Sequence, residues 1–349
     1  MGLTVLSVGY TLAPTGPDAV GGAEQILSTL DRALAAAGHR SIVVAPEGSE
    51  TAGELVAIPA EQVLDDAARA RAQAATRDAV GAVLRSRRVD VVHCHGLDFA
   101  EVLPKARPGW PPVLATLHLP PSWYPPGALT LPGVWVNCVS RAQHAACPPS
   151  RHLLPPIPNG VPVSSLAALP HSGRGHALML SRICPEKGQH LAIAAARAAG
   201  VRLLIGGSVF SYAAHQDYFA EKVKPHLGAK VVWLGPVGFA RKRELLAGAR
   251  CLLLPSLAPE TSSLVAMEAI ACGTPVVAFP NGAIPEVVSD GRTGFLVRDV
   301  AEMAEAIART EAVDPELCRR EAAARFSDTD MVARYLAVYR QLACAPAQA

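Results

Sequence analysis

Two glutamates, Glu260 and Glu268, stand in the run PETSSLVAMEAIACGTPVVAF, which holds no other charged residue. The spacing of SSLVAMEAIACGTP predicts a helix, with Ser262 or Ser263 as N-cap and Gly273 plus Pro275 as its stop. Glu268 is flanked there by Leu264, Val265, Ala266, Met267, Ala269, Ile270 and Ala271. A helix that is apolar all round is buried, and a buried carboxylate is costly unless something hydrogen-bonds it. Two kinds of partner are open to Glu268. One is an Arg or backbone amide elsewhere in the core. The other is a diol such as a ribose, with the adjoining phosphates taken by the helix N-terminus. Glu260, in the loop after the preceding strand, falls at the ligand edge of such a fold.

Other residue groups carry weaker chemical signals. Gly21 and Gly22 end the first strand-to-helix loop, where the absence of a side chain lets backbone approach a phosphate or sugar. The pair is not GxGxxG, which argues against a dinucleotide fingerprint. His118 closes the strand VLATLH. His93 and His95 flank Cys94 at strand spacing, so both imidazoles share a face, expected to line a cleft between domains. No further ligand stands at suggestive spacing, and no metal is expected. Asp328-Thr329-Asp330 is nominally a DxD metal motif, but its place before a terminal helix predicts N-capping.

The elements that must position these residues alternate between short β-rich runs and Ala-rich helical segments. LTVLSVGY, SIVVAP, VDVVHCH, VLATLH and VWVNCVS read as one set of buried parallel strands. ALMLSRI, RLLIGG, KVVWLG, CLLLPS, TPVVAF and TGFLV read as a second set. Two βαβ series in succession mean an α/β chain of two doubly wound, Rossmann-like domains, each with its own parallel sheet. The division expected is residues 1–165 and 166–327, with a seam around 161–177 and a C-terminal helix at 328–345 packing back onto the first domain. The proline-rich flanks of VLATLH between Pro104 and Pro132 must be loops, and acceptor contacts are expected there.

Composition narrows the function. Half of the 349 residues are hydrophobic and the net charge is only +2. Residues 1–165 hold 12 Lys and Arg against 13 Asp and Glu, so that part offers no nucleic-acid or strongly membrane-binding surface; at most weak membrane association is expected. The opening MGLTVLSVGYTLAP reads as a first strand and not a signal peptide, and no apolar run is long enough to span a bilayer. The eight cysteines are scattered without a CxxC pair, which points to a reduced, cytoplasmic protein without a zinc or disulfide framework.

The run ETSSLVAMEA followed by CGTPVVA resembles the E-x7-E signature of family 4 retaining glycosyltransferases, whose GT-B fold sets two Rossmann-like domains across a cleft. The resemblance covers nearly the whole chain: GGAEQ, DVVHCHG, ATLH, PIPNGVP, LSRICPEKGQHLAIAA and GAIPEVVSDGRTGFLV each resemble a family segment, in order. It implies transfer of a sugar from a nucleoside-diphosphate donor, uridine by default, to an acceptor hydroxyl with retained configuration. Arg182 and Lys187 resemble the pair that clamps the diphosphate, a fork and a point charge. Glu260 would contact the donor sugar, Glu268 the ribose, the amides of Ser263 and Leu264 the phosphates, and His118 would lie near the reacting sugar. The nucleotide sugar enters as substrate; no prosthetic group and no metal is implied. Many members carry a glycine-aromatic-glycine run between the glutamates, where this chain has Thr261, Ser262 and Ser263. The acceptor is left open among glycan, lipid-linked glycan and secondary metabolite. A nucleotide-sugar epimerase and a non-catalytic nucleotide-sugar-binding partner are the rival readings.

Overall fold

The computed structural model describes residues 2–105, 107, 109–169 and 175–344. Two compact units divide the chain: Met1–Pro158 with Asp330–Ala349, and Asn159–Thr329. Part of the seam expected at 161–177, residues 170–174, and the last residue of the expected terminal helix lie outside the described residues.

The first unit is built on β1 (Thr4–Val8), β2 (Arg40–Pro46), β3 (Glu54–Ile58), β4 (Val91–Cys94), β5 (Val113–Leu117) and β6 (Val134–Cys138). They pair in parallel in the order β3-β2-β1-β4-β5-β6. Val5, Leu6, Ile42, Val43, Val44, Val91 and Val92 are buried, as expected of a parallel sheet covered on both faces. β3 was not anticipated. It is an edge strand, in register with β2 from Glu54 opposite Ile42 to Ile58 opposite Pro46, and only Ile58 of its residues is fully buried although residues 55–58 are all apolar. The helix Asp66–Ser86 opens on Asp65, whose carboxylate accepts from the Ala68 amide at 2.7 Å.

The second unit repeats the plan with β7 (His176–Leu180), β8 (Leu203–Gly206), β9 (Val231–Trp233), β10 (Ala249–Leu254), β11 (Val276–Ala278) and β12 (Gly294–Leu296). Their order is β12-β11-β10-β7-β8-β9. In each sheet the first strand therefore lies between the second and the fourth, and the direction of winding reverses between the first and fourth. At that switch point the loops leaving the two strands part and open a crevice beyond their carboxyl ends. In the second unit those are the loops after β7 and β10.

The terminal helix Asp328–Cys344 takes in Asp328, Thr329 and Asp330 as its first turn. Carboxylates in that first turn complement the helix dipole. Further along, Tyr335 and Tyr339 are fully buried within the first unit.

Candidate functional site

Around the switch point of the second unit, the structure brings Lys187 and Glu260 together. Lys187 ends the short 3-10 turn Pro185–Lys187 that follows β7, and Glu260 follows β10. The Lys187 ammonium donates to Glu260 Oε1 at 2.6 Å, and the Ser256 hydroxyl donates to the same oxygen at 2.5 Å. Both loops are held by backbone. The Leu257 amide donates to the Glu186 carbonyl at 2.8 Å, and the Ala283 amide donates to the Glu260 carbonyl at 2.7 Å. Two glycines make these approaches possible. Gly188 has φ +71° and a Cβ there would overlap the Pro255 carbonyl; Gly282 has φ +64° and a Cβ there would overlap the Glu260 backbone.

Arg182 stands a few residues before Lys187, its guanidinium 5.6 Å from the centre of the Phe210 ring. Among the described residues it has no ion pair, so its fork is open to an anion. Its carbonyl is fixed by fully buried Gln189, whose Nε2 donates to it at 2.8 Å and to Ser181 Oγ at 3.0 Å.

The helix Leu264–Ala271 begins one residue after Ser263, whose hydroxyl caps it by accepting from the Ala266 amide at 3.4 Å. Its first amides, Leu264 and Val265, have no partner within the helix. Ser262 Oγ beside them is buried without a hydrogen-bond partner. A guanidinium, a helix start and an unsatisfied hydroxyl are each groups that bind a phosphate ester, and they stand on the loops that follow β7 and β10.

Glu268 has a protein partner, and it is a lysine where an arginine or a backbone amide was expected. Lys242 Nζ, from the helix Phe239–Ala247, donates to Glu268 Oε1 at 2.5 Å, and both side chains are nearly buried. Burial pushes the Glu268 carboxyl up, and the Lys242 charge opposes that shift. The ion pair supplies what a carboxylate among apolar residues needs, whether or not a diol also reaches it. Lys242 was not found from sequence because it is one of three adjacent cations in ARKRELL, and nothing there says which one turns inward. Ser256, Gly188, Gln189 and Gly282 were missed as well. Gly188 alone carries a sequence signal, a glycine directly after a short turn and before a helix.

The first-unit candidates have different surroundings. Gly21 caps the helix Gly22–Ala36, and a Cβ on it would collide with the Glu24 carboxylate. A carboxylate thus lies where the sequence places a phosphate or sugar. His118 Nε2 shares a 3.1 Å hydrogen bond with His95 Nδ1, and its amide donates to the Tyr124 hydroxyl at 2.9 Å. His93 is fully buried, which corrects its expected place on a cleft. Its Nδ1 shares a hydrogen bond with the Tyr339 hydroxyl and its Nε2 with Thr116 Oγ1, each at 2.7 Å. Tyr335 joins the network, 3.3 Å from Thr116 and accepting from Asn137 Nδ2 at 3.0 Å. Burial, with the neighbouring His118, holds His93 at about 3, and burial holds His118 at about 4. Both rings are neutral at pH 7.

This arrangement can be set beside known proteins. The family described as Glycosyltransferase Family 4 matches residues 20–148, and that described as Glycosyl transferases group 1 matches residues 174–311. The chain belongs to the family 4 glycosyltransferases. D-inositol 3-phosphate glycosyltransferase of Mycolicibacterium smegmatis is 34% identical to this family 4 chain over 168 residues, 46% of the chain and 38% of the relative. The Mycobacterium tuberculosis protein of the same name is 39% identical over 134 residues, 37% of the chain and 28% of the relative. The matches thus span about a third of the length of these curated relatives. Among solved structures, AviGT4, a glycosyltransferase involved in avilamycin A biosynthesis, superposes with TM-score 0.73 at 26% identity, covering 99% of this chain and 100% of that one. Anabaena HepE, solved with UDP and glucose, superposes with TM-score 0.75 at 20% identity, covering 97% and 99%. The fold is the GT-B fold of two parallel-sheet α/β units. Among the described residues no helix is long and apolar enough to cross a membrane.

Proposed function

We propose that this chain transfers a sugar from a nucleoside-diphosphate donor, with uridine as the base, to an acceptor hydroxyl with retention of anomeric configuration. The observation that carries this reading is the meeting of Lys187 with Glu260 at 2.6 Å where the loops leaving β7 and β10 diverge. One loop brings cations, the other a carboxylate and a helix start, which is what a sugar joined to a diphosphate needs. Arg182, the Ser262 hydroxyl and the Ser263 and Leu264 amides take the phosphates. Glu260 accepts from sugar hydroxyls, with Lys187 turning from it toward the leaving oxygen. Glu268 accepts from the ribose, and the Lys242 charge opposes the rise that burial imposes on its carboxyl.

As the glycosidic bond breaks, negative charge gathers on the leaving phosphate, and donors already aimed at that position lower the barrier. That phosphate accepts the acceptor's proton on the face from which it departs. The positive charge comes from side chains and a helix end, with no metal in the reacting group. HepE, solved with UDP and glucose, supports the class of donor; the acceptor is a hydroxyl compound of glycan, lipid-linked or secondary-metabolite type. The scattered cysteines, none in a CxxC pair, favour a reducing, cytoplasmic setting.

A thermal-shift screen across UDP, GDP, ADP and dTDP sugars tests the donor, because a ligand that binds only the folded chain stabilises it by mass action. A rise with UDP species alone is expected. Equal response to all four, or to none, would sink the reading. Product analysis by NMR then separates transfer with retained configuration from epimerisation of the free donor and from binding without turnover.

A further inference from the structure

We infer that Cys184, Glu186 and His215 form a site for a soft divalent cation, zinc in the first place, that clips the loop carrying Arg182 and Lys187 to the helix Ala213–Tyr218. The site stands on its own ligands and does not depend on the chain being a transferase. The thiol, the carboxylate and one imidazole nitrogen each offer a ligand atom, and the three atoms lie within 4.8 Å of one another. Around a tetrahedral ion with bonds of about 2.0–2.3 Å, ligand atoms stand roughly 3.4–3.8 Å apart, so a small contraction of side chains closes the site. Sulfur, nitrogen and oxygen together suit zinc better than magnesium or calcium, which take oxygen alone.

A second observation points the same way. His215 Nδ1 is buried and has no hydrogen-bond partner. Tyr212 and Phe210 frame its ring, with centroids 5.2 and 6.2 Å away. Cys184 is buried and its Sγ is 3.8 Å from the Arg182 carbonyl oxygen, while Glu186 is exposed and gives the ion a way in. The charged groups facing the cluster are Arg182 and Lys187 on the same loop. Burial raises the Cys184 thiol to about 11, so the thiol gives up its proton as the ion binds: Zn2+ and the thiol become a zinc thiolate and one released proton. A fourth position is left for water.

No metal is expected from the sequence, where His93 and His95 lack a further ligand at suggestive spacing and the cysteines form no CxxC pair. Packing of the Ala213–Tyr218 helix against the Pro185–Lys187 turn makes them neighbours. The ion positions the loop; it does not enter the sugar transfer.

The test uses the full chain, reduced and stripped of metal with a chelator, then titrated with Co2+ and with Zn2+ against a chromophoric competitor. One ion per chain, a thiolate-to-cobalt charge-transfer band abolished by Zn2+, and proton release on binding are expected. Cys184→Ser should remove the band, and Glu186→Gln and His215→Ala should each weaken Zn2+ by about tenfold or more. Cys344→Ser, at the exposed cysteine of the terminal helix, should change nothing. Absence of the band in the wild-type chain, or a band that survives Cys184→Ser, overturns the site. If Cys184→Ser does not fold, by circular dichroism, the two other variants decide: Zn2+ affinity unchanged in both also overturns it.

Discussion

The buried carboxylate Glu268 has two demands on it, and a pair of variants separates them. Glu268→Ala should abolish the thermal shift caused by a UDP sugar. It should also destabilise the second unit by about 3 kcal/mol, because it strands the Lys242 ammonium, which is nearly buried. The double variant Glu268→Gln with Lys242→Met removes the charge imbalance. Denaturant unfolding should recover most of the loss, while the nucleotide shift stays absent; a restored shift would leave Glu268 a structural residue only. Arg182 has no such structural debt. Arg182→Met should lower kcat by about 100- to 1,000-fold with little change in the melting temperature of the free chain. A large fall in stability with kcat intact would remove it from the diphosphate site.

At the scale of elements, the site depends on how closely two loops can run. Gly188→Ala places a side chain at φ +71° against the Pro255 carbonyl. A non-glycine residue held in that region costs roughly 1–3 kcal/mol, and relief of the overlap must move Lys187 away from Glu260. The denaturant midpoint should fall and kcat with it. An Ala variant with wild-type kcat would show that the two loops tolerate separation. In the first unit, Tyr339→Phe leaves buried His93 Nδ1 without its hydrogen bond, at a cost of about 1–3 kcal/mol. Hydrogen exchange at the amides of β4 and of the terminal helix should quicken together, since that bond joins them.

For the whole molecule, the three histidines set acid stability. His118 and His93 are neutral in the folded chain, at about 4 and about 3, against 6.5 when unfolded, and burial holds His95 well below its ordinary value. Between these values the unfolded chain binds more protons than the folded one. Stability is therefore full above about pH 6.5 and is lost progressively as pH falls toward 4 and below. Melting temperature followed across that window should drop, and His118→Asn should flatten the first part of the fall. A flat profile in the wild-type chain would mean that these rings are solvated. Two units also mean two melting steps, and a donor bound at the β7 and β10 loops should raise the one belonging to the second unit.

Much of this was legible from residue order alone. The apolar runs of the inner strands, the glycine and proline stops and the helical spacing between them require two parallel α/β sheets, because such strands must be covered on both faces. The stretch from Glu260 to Glu268 announced a loop and a buried helix start for the same reason: local geometry follows from local pattern. The half-exposed edge strand β3 carries an apolar run of its own, at residues 55–58, and was not anticipated all the same. Nor could spacing reveal which cation meets which carboxylate. Lys187 with Glu260, Lys242 with Glu268, His93 with Tyr339 and the Cys184, Glu186 and His215 cluster are contacts between distant parts of the chain. The first exists because strand order sets β10 beside β7, and the others because helices and turns from separate parts of the chain pack together; only the folded chain fixes either.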